Sequence, residues 1–414
     1  MISRVAISKG INRLDSANKA LDLLGGMARY VNKGDTVFIK PNFMSGIGML
    51  ANTHPDLVRF AVHKCLKSGA KKIYVGDTAM SQIDGEKAFS WTKIKEYVER
   101  HGGTMLNLES SVYKEKEFNG ILSKKIMLPE EFLESDVYIN MPKMKTHCIT
   151  KFTGGIKNSL GLLRDNDKRT NHSFERLDLK LLDIVRARKP DLVIVDSYIA
   201  MEGEGPILGE PVKTGYSVVG NDVIAVDSVC CKLMGIEPSD IKSIVAGEKL
   251  GDGTSNPRVS GEKIENLAKR FKIPSKEIKD VGGIKHYISN ENCGCPSVLR
   301  ISNSVLISLS KMFPYLFSNS EKKINIVSGN YKGETRQGDI TILVGDCACA
   351  SYSGNGEKII KIQKQCGVKA KGEEKPIECP ATDSWISLFQ TICKELGGPL
   401  ELEIVKSLME IAKQ

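Results

Sequence analysis

Asn140-Met-Pro-Lys-Met-Lys-Thr-His-Cys-Ile-Thr-Lys-Phe-Thr-Gly-Gly-Ile-Lys-Asn-Ser-Leu-Gly161 follows the apolar run Ser135-Asp-Val-Tyr-Ile-Asn140, which reads as a short buried strand. Lys143, Lys145, His147, the Gly154-Gly155 pair and Lys157 all fall within this one stretch. Cations packed so closely repel one another, so an ordered chain keeps them together only where an anion is shared. The glycines let backbone N–H groups approach that anion. The stretch reads as an anion-binding catalytic centre at the end of a strand, with Asn158 beside Lys157. A solvated basic loop is the plainer alternative, but it leaves the histidine and the glycine pair without a purpose.

The same rhythm extends on both sides. Thr36-Val-Phe-Ile-Lys-Pro-Asn42 reads as a buried strand stopped by Pro41, which leaves Lys40 and Asn42 at its carboxyl end. A helix is expected over Leu57–Ser68, capped by Thr53 or Asp56, with Leu57, Phe60, Ala61, Cys65 and Leu66 on one face. Lys71–Asp77 is the next strand, and it too ends on a carboxylate, Asp77. A helix over Phe174–Arg188 leads to Asp191-Leu-Val-Ile-Val-Asp196, and Asn221-Asp222 opens another helix over Val223–Met234. Alternation of this kind predicts an α/β fold, a parallel-sheet core with flanking helices. Ligands in such folds bind outside the carboxyl ends of the strands. Lys40, Asn42, Asp77, Lys143, Lys145, His147 and Asp196 all lie at such ends.

Composition narrows the partner. The 414 residues carry a net charge of +9, but the charge is spread along the chain and aromatics make up only 6%. Nucleic-acid binding would want a basic stripe with interleaved aromatics; small anionic ligands fit better. No apolar run reaches membrane-spanning length and Met1–Gly10 lacks a signal-peptide core, so a cytoplasmic protein with no integral membrane segment is expected. The composition shifts near residue 286. Residues 1–285 are read as the main α/β domain with the Lys/His/Gly-rich site. Residues 286–414 are read as a smaller Cys-containing α/β domain, with a helix over Ser297–Phe317 and strands over Lys323–Ser328, Asp339–Val344 and Lys375–Cys379.

Among the chemistry-bearing groups, a neutral imidazole can act as general base or metal ligand, and a lysine crowded by cations loses its proton readily and becomes nucleophilic. His147 and Lys157 are the expected catalytic pair, with Asp77 orienting. Lys40, Asn42, Lys143, Lys145, Gly154, Gly155 and Asn158 are the expected anion-binding set. His172 is a possible metal ligand or phosphate clamp. Eleven cysteines in a reducing compartment are not a disulfide framework. Cys65, Cys230, Cys231 and Cys393 fall inside helical patterns and read as buried apolar residues. Cys293-Gly-Cys295 and Cys347-Ala-Cys349 are two C-x-C pairs, with Cys366 and Cys379 nearby. Thiolates on loops after strands can hold an iron–sulfur cluster or zinc.

Lys40-Pro-Asn, Val75-Gly-Asp, Pro142-Lys-Met-Lys-Thr-His, Thr153-Gly-Gly-Ile-Lys-Asn-Ser-Leu-Gly161 and Met201-Glu-Gly-Glu-Gly-Pro206 resemble, in order, the family called domain of unknown function 362, over roughly residues 35–245. A more remote resemblance is to the nickel-pincer lactate racemase family. His147, Gly154-Gly155-Ile156, Lys157 and His172-Ser173 match its spacing to within one residue. By that resemblance Lys157 would hold the pincer, His172 would ligate nickel and His147 would transfer the proton. Where the racemases have Asp-x-Thr-Arg-Pro, this chain has Asn-Thr-His-Pro, with His54 in the arginine's place. Many members of the first family carry an iron–sulfur segment of C-x-x-C spacings, which is absent here.

The expected function is an enzyme acting on a small carboxylate or phosphate by proton or hydride transfer in an interdomain cleft, an oxidoreductase or isomerase. The alternative is an iron–sulfur electron-transfer protein that uses the C-terminal cysteines and a ferredoxin-like electron partner.

Overall fold

The computed structural model describes residues 3–43, 49–79, 85–86, 89, 94–169, 176–207, 209–274, 277–289, 295–312, 317, 322–354, 358–362, 388, 391–392 and 394–395. The chain divides into two compact units. One comprises Met1–Asp165 with Asp178–Ile273, and the other Asn166–Leu177 with Pro274–Gln414.

The strands of the first unit are β1 (Arg4–Lys9), β2 (Thr36–Pro41), β3 (Lys72–Asp77), β4 (Thr104–Asn107), β5 (Tyr113–Glu117), β6 (Lys125–Pro129), β7 (Val137–Met141), β8 (Lys143–His147), β9 (Lys151–Thr153), β10 (Leu192–Glu202), β11 (Glu210–Lys213), β12 (Tyr216–Gly220) and β13 (Arg258–Gly261). The main sheet runs β13-β1-β12-β10-β7-β2-β3-β4. The β10-β7-β2-β3-β4 stretch is parallel throughout, as the alternating sequence predicts, whereas β12 lies antiparallel to both β1 and β10.

Alternation along the central strands assigns each face. Val37, Ile39, Val137 and Ile139 join one fully buried cluster with Leu57, Val58, Ala61, Val62 and Cys65 of the helix Pro55–Lys67. Phe38 and Tyr138, one residue out of phase, join the opposite cluster with Leu128, Phe132, Leu162 and Ile184. Both faces are therefore dry, which is why these strands read as continuous apolar runs. The helix Pro55–Lys67 is capped by His54, whose ring Nδ1 accepts from Asp56 N at 3.2 Å, and not by Thr53 or Asp56 as the sequence predicts. Thr53 Oγ1 is engaged elsewhere, donating to Met141 O at 2.6 Å.

The second unit holds a four-stranded parallel sheet in the order β14 (Ile284–Ile288), β15 (Ile324–Ser328), β16 (Ile340–Val344), β17 (Lys358–Ile362). The long helix here spans Cys295–Met312. The strand expected at Lys375–Cys379 lies outside the described residues. Among the described residues no helix is long and apolar enough to cross a membrane.

Candidate functional site

Pro142 ends β7, and the chain continues at once as β8. Lys143-Met-Lys-Thr-His147 is thus a strand of its own, and not only the segment that follows one. Alternation puts Lys143, Lys145 and His147 on one side of it. All three are buried. Burying lysines is costly unless each finds a partner, and the partners come from distant parts of the chain.

Lys143 Nζ lies 3.0 Å from Asp196 Oδ2, and Arg13 Nε lies 3.2 Å from Asp196 Oδ1. The amide of His54 also donates to Asp196 Oδ2, at 2.8 Å. Burial alone would push the Asp196 carboxyl up, but Lys143, Arg13 and the His54 amide outweigh it and hold it below the usual carboxylate range. Burial pulls the Lys143 ammonium down despite Asp196. On the neighbouring strand ends, Lys40 Nζ lies 2.8 Å from Asp77 Oδ1 and also donates to Pro41 O at 2.8 Å. Asp77 Oδ2 accepts from Phe43 N at 2.7 Å, so both oxygens of the expected orienting carboxylate already serve the fold.

Gly161 packs directly on this pair: a methyl group there would collide with Asp77 Oδ1 and press on Lys40 Nζ. Gly161→Ala is expected to cost about 1–3 kcal/mol by overpacking. The readout is a lower urea midpoint at unchanged slope. An unchanged midpoint would mean that the ion pair yields freely.

Lys145 Nζ donates to Ala51 O at 2.7 Å. Its pKa is driven well below the usual lysine value, first by burial and then by the nearby charges of Lys157 and Lys143. Asn42 bridges the same loop, its Nδ2 donating to Ala51 O at 2.8 Å and its amide to Thr53 Oγ1 at 2.9 Å. Asn158 Nδ2 donates to Asn140 Oδ1 at 2.7 Å and to Lys40 O at 3.2 Å. Asn42 and Asn158 thus tie the strand ends together.

The glycine pair behaves differently from the sequence reading, which reserved its amides for a substrate anion. The N–H groups of Gly155 and Ile156 donate to Asp227 Oδ1 and Oδ2 at 2.6 and 2.9 Å, so an internal carboxylate takes that place. A side chain on Gly154 would overlap both Asp227 Oδ1 and the Phe152 ring. Asp227 sits on the helix Val223–Leu233, itself capped by Asp222. Burial raises its carboxyl to about 7, against the lowering pull of the two amides.

His147 Nδ1 accepts from the amides of Ile149 and Thr150 at 3.0 and 3.4 Å. A neutral ring with Nδ1 accepting carries its proton on Nε2. In this tautomer the ring proton of His147 is on Nε2. Lys157, on the short turn Gly155–Asn158, is part-buried and has no hydrogen bond or ion pair among the described residues. Burial lowers its pKa to about 8, although Asp178 and Cys148 act to raise it.

Three participants escaped the sequence reading. Arg13 carries no motif, His54 was noted only in the place of the racemase arginine, and Asp227 lies inside the expected helix Val223–Met234 with no role given to it. Burial drops the His54 pKa to about 4, with Arg13 adding to the effect, so the ring beside Asp196 is neutral.

The metal expectations fare unevenly. His172 and Cys293 lie outside the described residues. Among the described residues no three His, Cys, Asp or Glu side chains converge as a metal site. Cys295 opens the helix Cys295–Met312 beyond β14, and Cys347 and Cys349 lie on the helix Asp346–Ser351 directly after β16. Cys65, Cys230 and Cys231 are fully buried with thiol pKa values raised by burial, as expected of packing residues.

The family described as Domain of unknown function (DUF362) matches residues 37–232. A thylakoid-associated protein of Synechocystis sp. is 30% identical over 301 residues, covering 69% of this chain and 88% of that protein. Among solved structures, the lactate racemase apoprotein from Thermoanaerobacterium thermosaccharolyticum is similar at a TM-score of 0.40 and 13% identity, over 80% of this chain and 71% of that one. The motifs that build the strand-end cluster, from Lys40-Pro41-Asn42 to Asp227, lie inside the matched segment, and the chain belongs to the DUF362 family.

Proposed function

We propose that this chain is an enzyme that binds a small carboxylate or phosphate where the carboxyl ends of β2 and β3 meet β8 and the middle of β10, and moves a proton or hydride at the carbon beside the anion. It would be an oxidoreductase or an isomerase. The observation that carries this reading is the charge balance of the cluster. Arg13, Lys40, Lys143 and Lys145 gather around the carboxylates of Asp77 and Asp196, and Lys157, beside Lys145, feels the charge of Asp178. Asp227 faces the glycine amides instead. An excess of cations out of water favours a bound anion. Lys145 and Lys157 are the residues assigned to that anion, with His147 Nε2–H as a donor.

The test is thermal unfolding of the whole protein with malonate, lactate, pyruvate or inorganic phosphate. A ligand at a hundred times its Kd stabilises by about 2.7 kcal/mol, a shift that Lys145→Gln should abolish. If none of these anions raises the melting temperature, the reading fails.

A second reading, an iron–sulfur electron carrier served by a ferredoxin-like partner, draws support from topology. Cys295 follows β14, and Cys347 and Cys349 follow β16, at the carboxyl edge of one parallel sheet with only β15 between. Iron and sulfide assayed after oxygen-free purification, in wild type and in Cys347→Ser, decide it. Their absence from the wild type would sink it.

A further inference from the structure

We propose that Lys157 is a covalent catalyst whose amine condenses with the carbonyl of a small 2-oxo or aldehyde acid to form an imine, an inference that rests on the anion-site reading above. The lysines of the cluster divide sharply by their partners. Lys40 Nζ is held by Asp77 and Pro41 O, Lys143 Nζ by Asp196, and Lys145 Nζ by Ala51 O. Lys157 Nζ alone among these four donates to nothing among the described residues, and it is the one that is not fully closed off from solvent. An ammonium with acceptors around its protons keeps them. One that is desolvated and without an acceptor gives a proton up more readily and exposes a lone pair, here against the opposing charges of Asp178 and Cys148.

The turn that carries Lys157 is fixed on both sides. Asp227 holds the amides of Gly155 and Ile156 ahead of it, and Asn158 is tied to Asn140 and Lys40 O behind it. A nucleophile on so constrained a backbone is pre-organised. Lys145 lies within electrostatic reach, so a carboxylate could face that cation while the adjoining carbonyl carbon meets Lys157. The lowered pKa of about 8 supports the same assignment. It leaves roughly a tenth of the side chain as free amine at pH 7, on the order of a hundredfold or more above an ordinary lysine.

The step balances without a redox partner. The Nζ lone pair forms a C–N bond as the carbonyl π pair moves to oxygen, which takes up a proton. The amine gives up one proton to solvent. The hydroxyl of the resulting carbinolamine then leaves with a further proton as water, and the C=N bond forms. Amine, oxo acid and one net proton give an iminium ion and water. In a 2-oxo acid such as pyruvate the iminium acidifies the C–H of the third carbon, one position beyond the carbon beside the carboxylate, and makes the iminium carbon itself a ready acceptor of hydride.

The experiment incubates the full chain with glyoxylate or pyruvate and cyanoborohydride at pH 7, followed by intact-mass measurement and peptide mapping. We expect one reduced adduct per chain, on Lys157, forming on the order of a hundredfold faster than at exposed lysines such as Lys33. The rate should rise with pH and level off above about 8. Lys157→Arg keeps the cation and should abolish the adduct. Adducts spread over surface lysines, or persisting in Lys157→Arg, would overturn the proposal. Mapping on the unmutated protein keeps the test valid should the variant misfold. Malonate and lactate, which carry no reactive carbonyl, separate the two readings: stabilisation by them without trapping by oxo acids sinks the imine alone, whereas neither effect sinks the anion site as well.

Discussion

Asp196→Ala is expected to destabilise the protein by about 3–5 kcal/mol at pH 7, the largest effect of any single change in the cluster. The carboxylate compensates Lys143 Nζ at 3.0 Å and Arg13 Nε at 3.2 Å and accepts the His54 amide at 2.8 Å, all at 0% exposure of its own side chain. Removing it strands a buried ammonium and an amide that caps no other acceptor, and uncompensated buried charge is what makes such truncations severe. The penalty has a pH signature. Lys143 is already below its ordinary pKa and falls further without Asp196, so in the variant the unfolded chain binds the extra proton. Stability of the variant should therefore rise with pH toward alkaline conditions, where Lys143 is neutral in both states. In the wild type Asp196 itself works in the opposite range. Its pKa is depressed, so its contribution is present above the ordinary carboxylate value and is lost as pH falls through the lowered one. The double variant Lys143→Met/Asp196→Leu should recover much of the loss, because an apolar pair removes both desolvation costs. Urea unfolding of the three proteins at pH 6, 7.5 and 9 measures all of this. A loss below about 1 kcal/mol for Asp196→Ala, typical of an exposed pair, would mean that water reaches the site.

What was legible in the sequence was the period of the apolar runs and the residues that end them. Val37, Ile39, Val137 and Ile139 alternate with Phe38 and Tyr138, and with both faces dry each run is continuous and locatable. Lys40 and Asp77 stand at the ends of adjacent strands, so their convergence followed from the parallel topology itself. Lys143–His147 did not read as a strand of its own for a physical reason. A strand carrying two lysines and a histidine on one side is affordable only with partners from elsewhere, and Asp196 lies 53 residues on and Ala51 94 residues back. Nothing local announces them. Asp227 is the sharper case. The Gly154-Gly155 pair was read as amides kept for a substrate anion, but the carboxylate that the Gly155 and Ile156 amides meet belongs to the chain, 72 residues beyond Gly155. Sequence patterns report that an anion is wanted; they do not say whose it is.

That internal anion should make the protein less stable as pH rises from about 4 to about 7. Asp227 titrates near 3.8 when unfolded and at about 7 when folded, because full burial costs its charged form more than the Gly155 and Ile156 amides return. A group whose folded pKa is raised gives its full contribution below the unfolded value. It loses that contribution as pH rises through the window between the two, and above about 7 the deficit is constant. For a shift of this size the deficit is about 4 kcal/mol. Asp227→Asn removes the ionisation but turns one N–H group toward the amides. It should be less stable than wild type near pH 4.5, by about 1 kcal/mol for the lost acceptor, and more stable at pH 8. The two stability curves should therefore cross, and their difference isolates Asp227 from every other titrating group. Curves that run parallel from pH 4.5 to 8 would show that the carboxylate is ionised throughout and that the two amides outweigh its burial. In that case Asp227 would hold the turn carrying Lys157 equally firmly at every pH. If the curves cross, the same titration loosens one of the two amide anchors below pH 7, and oxo-acid trapping at Lys157 should weaken there by more than the Lys157 amine's own titration accounts for.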